Sequence, residues 1–145
     1  MALKSETRTV GQHEYTVTQL GAVKGLECLR RLLKVVGPSL QSLTSLAKGD
    51  GAAAFAQGLM RLLESLSQED LTYFCDTFGP TASVKLSDGK SPTVKAVFDF
   101  HFAGNYLELL EWLAFSVEVN FQGFFVDSLK KISGIGPAAP EPPSP

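Results

Sequence analysis

The sequence predicts a mainly α-helical protein, a compact single-domain helical bundle of five or six helices with a small β-hairpin component. Three observations predict this fold class. Apolar residues recur at helical spacing in several segments, glycine and proline separate those segments, and the N-terminal residues alternate in the manner of a short hairpin.

Length and composition fit one domain. The chain has 145 residues, of which 44% are apolar and 19% charged, and this is enough for one hydrophobic core. We expect a single helical domain over residues 1–132, including the N-terminal hairpin. Residues 133–145 hold five of the eight prolines, and we expect them to form a disordered proline-rich tail.

The first predicted elements are a hairpin and a basic helix. Residues 5–10 and 14–18 are rich in threonine, valine and tyrosine, which favours two short strands. A helix follows from residue 19 or 20 to Gly37, with Thr18 as its candidate N-cap. Its apolar stripe comprises Ala22, Leu26, Leu29, Leu33 and Val36. Its polar stripe comprises Lys24, Glu27, Arg31 and Lys34.

Further helices are predicted in the middle of the chain. Residues 39–47 and 52–65 each carry an apolar stripe at helical spacing. Ser67, followed by two acidic residues in the first turn, is the expected N-cap of a helix that ends at Gly79. Residues 82–95 contain turn residues and are predicted to form a second small hairpin or an ordered loop.

Residues 98–125 are the most distinctive segment, because they contain seven of the ten phenylalanines and the single tryptophan. A helix from about Asn105 has one apolar stripe that we expect to face the core. That stripe comprises Tyr106, Leu109, Leu110, Leu113 and Val117. A separate short helix is expected over residues 126–132.

The opposite side of this long helix is apolar as well, since Trp112, Phe115 and Val119 lie there between acidic residues. A helix with two apolar sides must be enclosed by its own chain or completed by a partner. We predict a partner-binding site comprising Trp112, Phe115, Val119, Glu108 and Glu111. If that side is core instead, the partner surface is expected on the basic helix at Lys24, Arg31 and Lys34.

Catalytic chemistry has no support in the sequence. His101 and Asp99 are two residues apart with no nucleophile motif nearby, and His13 is interpreted as a turn residue. The two histidines are far apart in sequence without clustered carboxylates, so we predict no zinc site. Cys28 and Cys75 are isolated thiols, which predicts neither a disulfide framework nor a metal site. We expect no catalytic residue, no cofactor and no metal.

Nucleic-acid and membrane functions are excluded in the same way. The net charge is -2, which is not the basic footprint of a nucleic-acid-binding protein. No apolar run reaches the roughly 18 residues needed to span a bilayer, and the N-terminus lacks the apolar core of a signal peptide. These features predict a cytoplasmic binding protein.

The order of several residue groups resembles a known family. Residues 15–20 lead into the basic helix, and the downstream groups are Phe98-Asp99, His101-Phe102, Gly104-Asn105, Trp112-Leu113-Ala114-Phe115 and Phe124-Phe125. Over residues 13–40 and 96–126 the chain resembles the small tail assembly chaperones of tailed bacteriophages, which are also described as tape-measure or tail tube chaperones.

The resemblance implies a non-enzymatic protein of the host bacterial cytoplasm. It implies binding to the long helical tape-measure protein before the tail tube polymerises, with the tail tube protein as a second partner, and it leaves a homo-oligomer open. Two other classes remain open as well. One is a structural tail or virion component, and the other is a small phage adaptor or regulator that binds a host protein.

Overall fold

The computed structural model describes residues 3–36, 60–61 and 63–133, and these ranges include a three-stranded antiparallel sheet and four α-helices. The elements in order are β1 (Ser5–Val10), β2 (His13–Thr18), α1 (Ala22–Val36), α2 (Gln68–Phe78), β3 (Ala82–Lys85), α3 (Val94–His101) and α4 (Tyr106–Ser133). A short 3-10 helix, Gly79–Thr81, joins α2 to β3.

The N-terminal hairpin is confirmed, because β1 and β2 pair along their full length. Gly11 adopts a φ of 62° in the connecting turn, a left-handed conformation that glycine adopts without steric penalty. On β2, the buried side chains of Tyr15 and Val17 alternate with more exposed neighbours. The hairpin therefore has one face that packs on the core.

The prediction of a bundle of five or six helices was wrong, because the hairpin gains a third strand. β3 pairs antiparallel with β2, and its Ala82 and Val84 side chains are buried beside those of β2. Residues 82–95 fold back on themselves as predicted, since the Val84 amide donates to the Pro92 carbonyl at 3.1 Å and the Leu86 amide to the Lys90 carbonyl at 2.8 Å, but β3 also joins the N-terminal hairpin. A turn after β3 and a bridge between Ser83 and Thr93 bring the chain back towards α3. The described fold is mixed α/β.

The helix α1 is confirmed, but its buried side differs from the predicted stripe. Cys28 and Leu32 are buried, whereas Leu26 is exposed. The helix begins at Ala22, and Thr18 lies in β2 with its hydroxyl bonded to Ser5, so the prediction of Thr18 as the N-cap was wrong. The predicted helix 39–47 and most of 52–65 lie outside the described residues.

The predicted cap of α2 is confirmed, since the Ser67 hydroxyl accepts a hydrogen bond from the Asp70 amide at 3.1 Å. The helix α3 was not predicted from the sequence. Thr93 caps it by accepting from the Ala96 amide at 3.2 Å. The predicted short helix over 126–132 is not separate, because α4 continues without a break to Ser133.

The helix α4 is enclosed by its own chain over its middle part. Every residue from 112 to 119 is buried, and α4 packs against β1, β2 and α2. Of the predicted core stripe, Leu113 and Val117 are buried, whereas Tyr106 is exposed. Although α4 is long, none of the described helices combines the length and apolarity needed to cross a membrane.

The burial of α4 predicts that Leu113→Ala destabilises the protein by ~2–5 kcal/mol, because it removes buried apolar area and leaves a cavity. The measurement is the free energy of unfolding in urea. Leu107→Ala is the matched control, since Leu107 lies on the same helix and is 63% exposed. Equal effects of the two substitutions would contradict the enclosed position of α4.

The two thiols provide an independent measure of packing. Burial raises the pKa of both Cys28 and Cys75 to about 12, so almost no thiolate exists at pH 8. We expect neither thiol to react rapidly with a disulfide reagent until denaturant is added, when both react. Ser87→Cys places a third thiol on the exposed turn and should add one rapidly reacting equivalent. Rapid labelling of the unmodified native protein would contradict the described packing.

Candidate partner-binding site

The apolar residues of the predicted partner site lie inside the protein. Trp112 is fully buried, and its ring centroid lies 6.2 Å from that of Phe98 and 5.7 Å from that of Phe102. Phe115 and Val119 are buried too, and the Arg8 guanidinium covers the Phe115 ring at 4.3 Å. In this fold a partner reaches these side chains only if α4 separates from its neighbours, and their role in binding stays a prediction.

The two acidic residues of the predicted site have different positions. Glu111 is half-buried and lines a small cavity of about 290 Å³ together with Glu118. The Glu118 carboxylate accepts from Arg8 Nη2 at 3.2 Å. Glu108, in contrast, is buried and belongs to a hydrogen-bonded cluster at the start of α4.

The Glu108 carboxylate receives hydrogen bonds from three parts of the chain. His13 Nδ1 lies 2.7 Å and Tyr15 Oη 2.5 Å from Oε2, both from β2. The Gln12 amide of the hairpin turn donates to Oε1 at 3.2 Å, and Asn105 Nδ2, just before α4, lies 3.5 Å from the same oxygen. A buried carboxylate is tolerated only when it is bonded in this way.

His101, at the end of α3, completes this cluster, which we call the Glu108 cluster: Glu108, His13, Tyr15 and His101. The Tyr15 hydroxyl donates to Glu108 and can therefore accept from His101 Nε2, which lies 2.6 Å away. The Glu108 cluster joins β2 to α3 and α4, which lie about 90 residues further along the chain.

Electrostatics support an ionised carboxylate in the Glu108 cluster. Burial alone would raise the pKa of Glu108, but hydrogen bonds from Tyr15, the Gln12 amide and His13 together place it below its ordinary value. Burial, followed by the bond to Glu108, raises the pKa of Tyr15. Burial and the neighbouring His13 lower the pKa of His101 despite the opposing effect of Glu108, so its neutral form is favoured.

The fold brings the two histidines together although they are far apart in sequence, with their ring centroids 4.5 Å apart. Ligand atoms of His13, His101 and Glu108 all lie within 4.8 Å of one another. These three residues are the group that could hold a metal ion in the described part of the chain. Sequence reasoning missed them because the start of β2 and the end of α3 meet only when both pack beside α4.

A second candidate site is the groove between α1 and the start of α2, which we call the α1–α2 groove. It has a volume of about 1120 Å³. Val23 and Leu26 line it and are 86% and 59% exposed. Arg30 and Lys34 follow on the same side of α1 at helical spacing and are exposed as well.

Arg31 connects the two helices that form the α1–α2 groove. Its guanidinium pairs with Asp70 at 3.0 Å and lies 4.3 Å from the centre of the Tyr73 ring. Of the basic residues named as an alternative partner surface, Lys34 is exposed in the groove, Arg31 forms this internal contact, and Lys24 lies 3.9 Å from Glu27. The groove thus combines exposed apolar side chains with basic ones.

Comparison with known proteins identifies a family. A family model described as "Phage tail assembly chaperone protein, TAC" matches residues 11–136. The matched range is most of the chain and includes β2, β3 and all described helices, so it confirms the resemblance seen in residues 13–40 and 96–126. No curated protein and no solved structure matches the chain.

The close contact between the hairpin turn and Glu108 predicts a large effect of Gly11→Ala. A Cβ at Gly11 would collide with the Glu108 carboxylate, and the φ of 62° is itself unfavourable for alanine. Because the carboxylate must move away from its donors, we expect a loss of stability ~1–3 kcal/mol beyond the backbone strain alone.

Gly89→Ala is the matched control, since Gly89 has a φ of 88° and open space around it. It should show the backbone strain without the collision. The measurement is the free energy of unfolding of both variants, and equal values would contradict the described contact of Gly11 with Glu108.

Proposed function

This chain belongs to the phage tail assembly chaperone family, and on that premise we propose that it binds the tape-measure protein without catalysing a reaction. Family membership supports tail proteins as its partners. The observation that carries the finer proposal is the α1–α2 groove, where Val23 and Leu26 lie exposed beside basic residues. We further propose that it acts in the cytoplasm of the infected bacterium, with the tail tube protein as a second partner.

The groove suits a helical ligand. Helix-in-groove recognition requires apolar anchor positions that a partner can reach, at the spacing of successive helical turns. Val23 and Leu26 meet this requirement, whereas Trp112 and Phe115 are already packed against the chain itself. The α1–α2 groove therefore supports the alternative placement of the partner surface on the basic helix.

The charges of the groove indicate the chemistry of the ligand. Arg31 is neutralised by Asp70, but the exposed Arg30 and Lys34 have no ion pair within the described residues. A segment with acidic residues beside its apolar face would complement them. We propose that the bound tape-measure segment is an amphipathic helix of this kind.

The size of the apolar contact fits a chaperone that must release its partner. Full burial of an aliphatic side chain contributes ~1.5–3 kcal/mol, so two exposed anchors give a weak single contact. Several copies bound along one long partner would add their contacts through multivalency. Arriving tube subunits could then displace the copies one at a time.

The direct test is co-expression with fragments of the tape-measure protein from the same phage. We expect Val23→Ser combined with Leu26→Ser to reduce the soluble amount of the fragment and to weaken binding at least about 10-fold, because both anchors are lost. Thermal unfolding should change little, since both side chains are exposed. Leu107→Ser is the matched control, because Leu107 is an exposed leucine on α4.

Two further variants separate the possible binding faces. Arg30→Glu with Lys34→Glu should slow association and alter its salt dependence. Trp112→Ala should unfold the protein at lower denaturant concentration, because it empties a core position. If Trp112→Ala abolished binding in a fully folded protein while the groove variants bound normally, the partner site would be on α4. Recovery of the chain in purified virions would favour the structural-component alternative.

A further inference from the structure

The Glu108 cluster brings together side chains that are typical zinc ligands. His13 at the start of β2, His101 at the end of α3 and Glu108 in the first turn of α4 present two imidazole nitrogens and one carboxylate oxygen within 4.8 Å. Two histidines and a glutamate form a known zinc ligand set, in which water or another side chain takes the fourth position. Imidazole nitrogen also favours zinc over magnesium and calcium, which prefer oxygen.

We propose that His13, His101 and Glu108 form a binding site for a divalent transition-metal ion, with zinc as the favoured cation. This site goes beyond the proposed binding of a tail protein and does not depend on it. The bound ion would fasten the hairpin to α3 and α4, at a place remote in sequence from the α1–α2 groove.

The two distances to Glu108 Oε2 lie on either side of the separation found in a zinc site. Ligand atoms about 2.0–2.2 Å from a tetrahedral zinc ion lie roughly 3.3 Å from one another. His101 Nε2 is 3.6 Å from Glu108 Oε2, close to that separation. His13 Nδ1 is 2.7 Å from the same oxygen and would move outwards by roughly 0.6 Å to reach that separation. The Tyr15 hydroxyl, next to both His101 and Glu108, is positioned to hold a water in the fourth position.

Metal binding also requires defined protonation states of the two histidines and of Glu108. The nitrogen that faces Glu108 in each neutral histidine must present its lone pair to the ion, so its proton moves to the other ring nitrogen. A histidine that begins as the cation releases one proton to solvent. Glu108 is already ionised and needs no change. The His13 side chain is 29% exposed, which provides a route for the ion to reach the otherwise buried ligands.

The chain offers variants that separate metal binding from hydrogen bonding. His13→Asn places an amide N–H near the position of Nδ1, and His101→Gln places one near Nε2. Both variants can therefore keep hydrogen bonds of the Glu108 cluster while they remove an imidazole ligand. Cys28→Ser with Cys75→Ser is the control for thiols, which also bind zinc.

The experiment uses the full chain without an affinity tag, stripped with a chelator and titrated with zinc chloride by calorimetry. We expect one ion per chain and a higher thermal midpoint with zinc, because an ion that binds only the folded state stabilises it. The cysteine control should bind as the unmodified chain does. Each histidine variant should weaken binding at least about 10-fold. No uptake, or unchanged affinity in the histidine variants, would overturn the proposal.

A second measurement uses only the unmodified protein, so it does not depend on whether the variants fold. The chain contains two histidines, so the imidazole nitrogen NMR signals of the unmodified protein report on both predicted ligands and on no other histidine. Zinc at one equivalent should shift both sets of signals, and cobalt should give the visible absorption of a tetrahedral site. Signals of either histidine that stay unchanged at saturation would refute the three-ligand site.

Discussion

The burial of the Glu108 carboxylate is the constraint on which the arrangement of sheet and helices depends. A buried ionised carboxylate is stable only when it accepts several hydrogen bonds. Here the hydrogen-bond donors come from β2, the hairpin turn and the residues before α4. The requirement extends to the backbone, because the turn approaches Glu108 so closely that only glycine fits at residue 11. One carboxylate thereby fixes both the position of the hairpin on α4 and the conformation of its turn.

The enclosure of α4 follows from the same arrangement and leaves its large apolar side chains inside the protein. With the sheet on one side and α2 and α3 nearby, Trp112 and Phe115 complete the internal packing. The apolar surplus that suggested a partner-binding site in the sequence is thus satisfied by the chain itself. The apolar side chains of α1 that remain accessible are Leu26, which belongs to the predicted stripe, and Val23, which does not.

Local features of the fold could be predicted from the sequence because their causes are local. The β1–β2 hairpin, the Ser67 cap and the start of α4 depend on neighbouring residues. The pairing of β2 with β3 and the Glu108 cluster join residues far apart in the chain, and no local pattern reports such contacts. The stripe of α1 was misjudged for a related reason: periodicity identifies an amphipathic helix, but the neighbours that determine its buried side, around Cys28 and Leu32, are distant.

This division of the molecule lets stability and binding be adjusted separately. The Glu108 cluster and the buried part of α4 carry the tightly packed interactions, whereas the α1–α2 groove is formed by side chains that contribute little burial in the free protein. The main contact between the two sides of the groove is made by Arg31. Its guanidinium forms a partly exposed ion pair with Asp70 and stacks on the Tyr73 ring. Because exposed ion pairs contribute at most about 1 kcal/mol, the side chains of the groove can rearrange without loss of the core. The proposed binding of a long tape-measure protein at several places would require that property.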